Sequence, residues 1–234
     1  MRFILFIFLL CSSLFISSDA WATRYTSRSL KKYVLQVPRR EENNISSLVN
    51  YLTKRLDDDY DKAKVIAFWI ASHINYDEYL YHDGKTSKLI NTYHGQSSSE
   101  LLKSRAGICG DFAQLFEDMC RKAGIRAYQV HGYASAGTSI RREKYSHKFK
   151  HNAVGHAWNY FIYKNRNIYV DTTFMAHGTT GVSRQIGNFT HKRALNEIKR
   201  ENRYKSQIND FDEYYFDFDY EDEPKDKGYI RFEK

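Results

Sequence analysis

Three residues have the types and the order that a thiol-based catalyst requires: Cys109 in AGICGDFAQLF, His156 in GHAWNYFIY and Asp171 in NIYVDTT. A thiol reacts as its thiolate, and a helix N-terminus stabilises that anion through unpaired backbone N–H groups and aligned peptide dipoles. Cys109 stands where an apolar helical run begins, behind Ala106, Gly107 and Ile108. Gly107 and Gly110 remove side chains on both sides of it, which permits a tight turn and lets a carbonyl approach the Cys109 backbone N–H as an oxyanion donor. A second donor is left open among the upstream polar residues Gln96, Asn91 and Tyr76. His156 is the base that would take the thiol proton and return it to a leaving group, and Asp171 the acid that would orient the ring. Singly, each has an ordinary explanation, such as a satisfied strand histidine or a capping aspartate. The combination points to catalysis.

The elements that must position these residues can be read from periodicity. Phe112, Leu115, Phe116, Met119 and Cys120 follow helical spacing from Cys109 until Gly124 stops the run. Beyond it the period becomes two, and residues 126–134, 155–163 and 166–172 are expected as strands, the last two joined by a tight turn at Lys164-Asn165. Such a turn pairs Tyr163 with Arg166 and hence His156 with Thr173. Asp171 is then diagonal to His156 on the same sheet face, about 7–8 Å away, and would hold the ring through Nδ1. A slip of one residue would separate them onto opposite faces. Upstream, Asn44 caps a helix carrying Ile45, Leu48, Val49, Leu52 and Leu56. A second helix is expected over 61–74, burying Ala63, Ile66, Ala67, Ile70 and Ile74, with Trp69 in the core. Residues 75–95 are expected as a loop or lid. Ser97 and Glu100 have capping-box spacing and open a short helix. A last helix is expected over 190–204.

The whole chain has 234 residues, 42% hydrophobic and 16% aromatic, with a formal charge of +8. Its mean hydropathy is −0.65. This describes a polar globule with one sizeable core. Residues 1–22 have Arg2, an apolar stretch and an Ala20-Trp21-Ala22 end, the pattern of a signal peptide, so a protein exported to the periplasm or medium is expected. Its removal takes one base and one acid and leaves the charge unchanged. No later segment has the length and apolarity of a spanning helix, so no stable membrane insertion of the mature chain is expected. Residues 23–42 form a basic N-terminal arm in which Tyr33, Leu35 and Val37 alternate like a short strand, 43–209 the catalytic domain, and 210–234 an acidic, aromatic C-terminal tail. Of the three cysteines, Cys109 and Cys120 would lie roughly 16 Å apart on one helix, far beyond the ~7 Å disulfide limit. Cys120 is therefore expected as a buried core thiol. A basic loop with Arg141, Arg142, Lys144, Lys148 and Lys150 joins two strands near His156, a candidate substrate rim for an acidic peptide or protein. His147, His151 and His156 lack a paired metal-ligand spacing, so neither metal nor cofactor is expected. Export and the acidic tail argue against nucleic acid.

The runs WIASHINYD, LLKSRAGICGDFAQLFEDMCRKAGIRAYQVHGYA and GHAWNYFIYKNRNIYVDTT together resemble the transglutaminase-like superfamily over residues 43–175. Its members share a core with papain-type proteases and place Cys, His and Asp in the contexts G-x-C, H-A-W and D-x-T. The resemblance implies an α+β fold with the cysteine helix packed on an antiparallel β-sheet, and roles for Cys109, His156 and Asp171. Crosslinking members carry Trp after the nucleophile where this chain has Gly110, and no calcium-site pattern is present, so the chain is more similar to bacterial members and the peptidase-like branch. A cysteine hydrolase or acyltransferase working on peptide amides through a thioester is expected. The alternative is a binding or scaffold module retaining the fold, against which the intact triad argues.

Overall fold

A computed structural model describes residues 25–77, 94–136, 154–176, 211–218 and 227–231. The expected signal peptide, the helix over 190–204, all five basic rim residues, Asn91 and most of the expected lid lie outside the described residues.

The N-terminal arm is helical where an alternating strand was expected: α1 spans Ser27–Val34, with the Thr26 hydroxyl accepting the Ser29 N–H. Leu30 and Val34, one turn apart, are both buried, and α1 packs on the central helix. That apolar pair and the cap outweigh the alternation of Tyr33, Leu35 and Val37. After a 3₁₀ turn at Glu41–Asn43, α2 (Ile45–Thr53) starts where the sequence placed it, because the Asn44 side chain accepts the N–H groups of Ser46 and Ser47. The central helix α3 (Asp59–His73) begins two residues earlier than expected, capped by Asp58. It is also buried on more than one face: Val65, Phe68 and Ala71 join Trp69 and the other expected apolar residues at zero exposure. A helix apolar all round must be covered on all sides, and α1, α2 and the cysteine helix cover it.

β1 (Asn75–Tyr76) pairs in parallel with β2 (Ala106–Gly107). Between them α4 (Ser98–Ser104) opens on the expected capping box, with the Ser97 hydroxyl bonded to the Glu100 N–H and the Glu100 carboxylate to the Ser97 N–H. It closes on Arg105 in the left-handed region at φ 60°. The cysteine helix α5 (Cys109–Lys122) lies against β3 (Ala127–Ala136) and β4 (Val154–Tyr163). β5 (Arg166–Val170) returns through the expected tight turn at Lys164 and Asn165, whose φ values of 45° and 62° are those of a type I′ hairpin turn. Tyr163 pairs with Arg166 as expected, but pairing ends at Asn159 with Val170. Thr172 opens a short helix, α6 (Thr172–Ala176), so the expected pair of His156 with Thr173 is not made.

The acidic, aromatic segment at the C-terminus belongs to the sheet rather than hanging from it. β6 (Phe216–Phe218) pairs with β5 and β7 (Lys227–Arg231) with β3, giving a five-stranded antiparallel sheet in the order β6-β5-β4-β3-β7. Its alternation of acids and aromatics is a strand pattern: Phe216 and Phe218 are buried, whereas Asp217 between them is exposed and accepts the Tyr60 hydroxyl at 2.8 Å. The whole is an α+β fold. Among the described residues no helix is long and apolar enough to cross a membrane.

Candidate active site

α5 brings Cys109 to its first position, where helix N–H groups lack intrahelical acceptors. The preceding residue, Ile108, has no side-chain acceptor with which to cap the helix. Instead Asp111 reaches back, its Oδ2 accepting the Ile108 N–H at 2.8 Å. Position Gly107 serves this contact: a Cβ there would stand 2.8 Å from Asp111 Oδ2 and 2.8 Å from Leu101 Cδ1. Its lack of a side chain thus makes room for a carboxylate, a reason different from the turn freedom expected. At Gly110 an added Cβ would meet nothing within 4 Å, so the space beside Cys109 is open. Cys109 is half-buried and Cys120 fully buried, and neither forms a disulfide. Burial pushes the Cys120 thiol well above its usual range, as suits an inert core sulfur.

Strand β4 carries His156, and Asp171 directly follows β5. They meet as the hairpin register required, but through the other ring nitrogen: His156 Nε2 lies 2.7 Å from Asp171 Oδ2. The Nδ1 contact expected from the sequence is corrected accordingly, and Cys109 favours the charged form of the same ring. Which nitrogen meets the carboxylate depends on how the ring turns about its own bonds, and register does not specify that. The ring stacks on Phe174, with centroids 4.5 Å apart and planes at 16°, and on Trp158, at 5.9 Å and 19°. Asp171 is fully buried and divides its carboxylate, Oδ1 accepting the Phe174 N–H at 2.9 Å while Oδ2 faces His156. It is both the cap of α6 and the partner of the histidine.

Buried Asn159 fixes the spacing between the two halves, its Nδ2 donating to Ala113 O of α5 at 3.0 Å and to Tyr128 O of β3 at 3.3 Å. Of the three candidate oxyanion donors, Gln96 is tied to the chain on both side-chain atoms: Nε2 donates to Ala106 O at 2.8 Å, and Oε1 accepts the Ser104 hydroxyl at 2.7 Å. Tyr76 is half-buried in β1, in register with Gly107. The parts not anticipated are Asp111, Phe174 and Asn159. Asp111 had a sequence signal, being three residues after the residue that precedes the helix, but Ile108 concealed it by not being a capping type.

Burial disfavours charge on His156, yet Asp171, by charge and hydrogen bond, and then Cys109 outweigh it and raise the imidazole to about 10 from its usual 6.5. The ring is thus an imidazolium at neutral pH. The sign for stability follows from a folded value above the unfolded one. The contribution of this pair is fully present below pH 6.5 and is lost as pH rises toward 10. Urea unfolding of wild type and His156→Gln should therefore differ most near pH 6 and converge through that window, and a gap that stayed constant across it would contradict the charged pair.

A family model described as the transglutaminase-like superfamily matches residues 46–172, just over half of the chain. Kyphoscoliosis peptidase from Mus musculus is 27% identical over 133 residues, which are 57% of this chain and 18% of that protein. The Homo sapiens protein is 26% identical over 167 residues, 67% of this chain and 23% of its own. The chain thus spans about a fifth of the length of these curated relatives. Among solved structures, a candidate cysteine protease from Cytophaga hutchinsonii is similar with a TM-score of 0.40 and 22% identity, over 60% of this chain and 40% of that one. A TGase is similar at 0.42 and 17%, over 66% and 35%. With more than half its length matched by the family model, this chain belongs to the transglutaminase-like superfamily.

Proposed function

We propose that the protein is an exported cysteine hydrolase or acyltransferase that opens an amide of a peptide or protein through a thioester on Cys109. The observations that support this most are the buried pair of His156 Nε2 and Asp171 Oδ2 at 2.7 Å, the influence of Cys109 on the same imidazole, and the position of the sulfur at a helix N-terminus. In the first half, the Cys109 sulfur attacks the amide carbonyl carbon, and the carbonyl electron pair moves to oxygen, toward the Cys109 backbone N–H. The tetrahedral species collapses, the carbon–nitrogen bond breaks, and the imidazolium proton of His156 goes to the departing amine. In the second half, neutral His156 takes a proton from water or an amine as it attacks the thioester, and the sulfur leaves as thiolate. Water gives hydrolysis, whereas an amine gives transfer. The likeness to proteins named peptidases favours water.

The choice is tested by incubating the protein with casein and a labelled primary amine. New peptide termini with no label in wild type, absent in Cys109→Ala, are expected. Incorporation of label without cleavage would defeat the hydrolase form, and neither product in wild type would favour the scaffold reading.

A further inference from the structure

We infer that Asp111 is a positioning residue for the reactive sulfur, an inference that rests on the reading of Cys109 as nucleophile. Asp111 is 2% exposed, and its carboxylate joins two chain segments. Oδ2 accepts the N–H of Ile108, the residue before Cys109, and Oδ1 accepts the N–H of Gln96, each at 2.8 Å. Gln96 in turn fastens Ala106 O through its side-chain amide at 2.8 Å. The turn that presents Cys109 is thereby held at the Ile108 nitrogen by the Asp111 side chain and at the Ala106 oxygen by the Gln96 side chain, and the Asp111 carboxylate also accepts the backbone N–H of Gln96. A cap of α5 alone would need only one oxygen. The second is used on a segment 15 residues upstream, which adds nothing to the helix but fixes where the turn stands.

The charge of Asp111 gives the same answer. A carboxylate two residues from the sulfur opposes a thiolate, so stabilising the anion cannot be its purpose. Its strong, directional hydrogen bonds to backbone N–H groups instead hold the Ile108 peptide, and with it the Cys109 N–H and Sγ, in one geometry. Gly107 completes the device, since any side chain there would strike the carboxylate.

Two reactions with different demands separate positioning from plain stability. Alkylation by iodoacetamide needs an accessible anionic sulfur and no alignment with other groups. Acylation by p-nitrophenyl acetate also needs the aligned N–H. In Asp111→Asn, assayed well below its melting temperature, the acylation burst is expected to slow by about 10²-fold, the scale of an ångström misplacement. Alkylation of Cys109, followed by peptide mapping, should stay within about threefold of wild type because the opposing charge has been removed. Gly107→Ala, which pushes on an intact Asp111, should show the same split and serves if Asp111→Asn does not fold. Unchanged acylation in a folded variant overturns the inference, and so does an equal fall in both reactions, which marks a general loosening. A burst that survives in Cys109→Ala shows instead that the nucleophile was misassigned, and the inference falls with it.

Discussion

Cys109→Ala is expected to abolish turnover and to leave the melting temperature almost unchanged, because it removes one half-exposed sulfur and no core volume. His156→Ala should also abolish turnover but at a cost in stability, since it leaves the fully buried Asp171 Oδ2 without its 2.7 Å partner. Removing one member of a buried charged pair costs about 3–5 kcal/mol, enough to see directly in urea unfolding. Asp171→Asn separates orientation from folding. Its Oδ1 can still accept the Phe174 N–H, so α6 keeps its cap. The amide nitrogen then faces His156 Nε2 as a donor, which forces the ring proton onto Nδ1, the nitrogen that in the proposed mechanism takes the Cys109 proton. A carboxylate-to-amide change beside a catalytic histidine lowers kcat about 10⁴-fold through the wrong tautomer, and a loss of that order is expected in the acylation burst. Wild-type rates in folded Asp171→Asn would remove Asp171 from the mechanism.

Glu42→Ala is expected to lower the free energy of unfolding by about 3 kcal/mol, although Glu42 is far from Cys109 in sequence. Its carboxylate collects three groups: Arg105 Nη2 at 3.1 Å, Trp69 Nε1 at 3.3 Å and His73 Nε2 at 3.4 Å. Burial raises the Glu42 carboxyl, although Arg105 pulls it down. The Arg105 guanidinium also lies 4.9 Å from the Trp69 ring centroid, and its backbone oxygen accepts the Asn75 N–H at 3.0 Å. Without Glu42 a mostly buried guanidinium at the end of α4 loses this ion-pair partner, four residues before the sulfur. Glu42→Gln, which keeps hydrogen bonds but no charge, should lose less. Urea titration of the three proteins at one pH is the test. A loss below about 0.5 kcal/mol for Glu42→Ala, the range of ordinary surface changes, would mean that the cluster does not brace this region.

Local chemistry was legible in the sequence wherever the deciding partners lie within a few residues. Asn44 and the Ser97–Glu100 box started their helices because each cap reaches backbone N–H groups at most three positions away. Lys164-Asn165 determined the hairpin register, and the register put His156 and Asp171 on one face, 15 residues apart in the chain but one turn apart in topology. The order Cys, His, Asp and the apolar run behind Cys109 carried the family and the placement of a thiol at a helix start. Tertiary structure decided whatever depends on distant partners. α1 formed because Leu30 and Val34 found the surface of α3, and the C-terminal segment became strands because both edges of the sheet offered unpaired backbone. The same holds within the site: Nε2 faces Asp171 because Phe174 and Trp158 set the ring plane, and Phe174 is there because Asp171 caps the helix that carries it. Such an arrangement needs three segments to meet before any of its bonds can form, so no pattern along one of them could announce it.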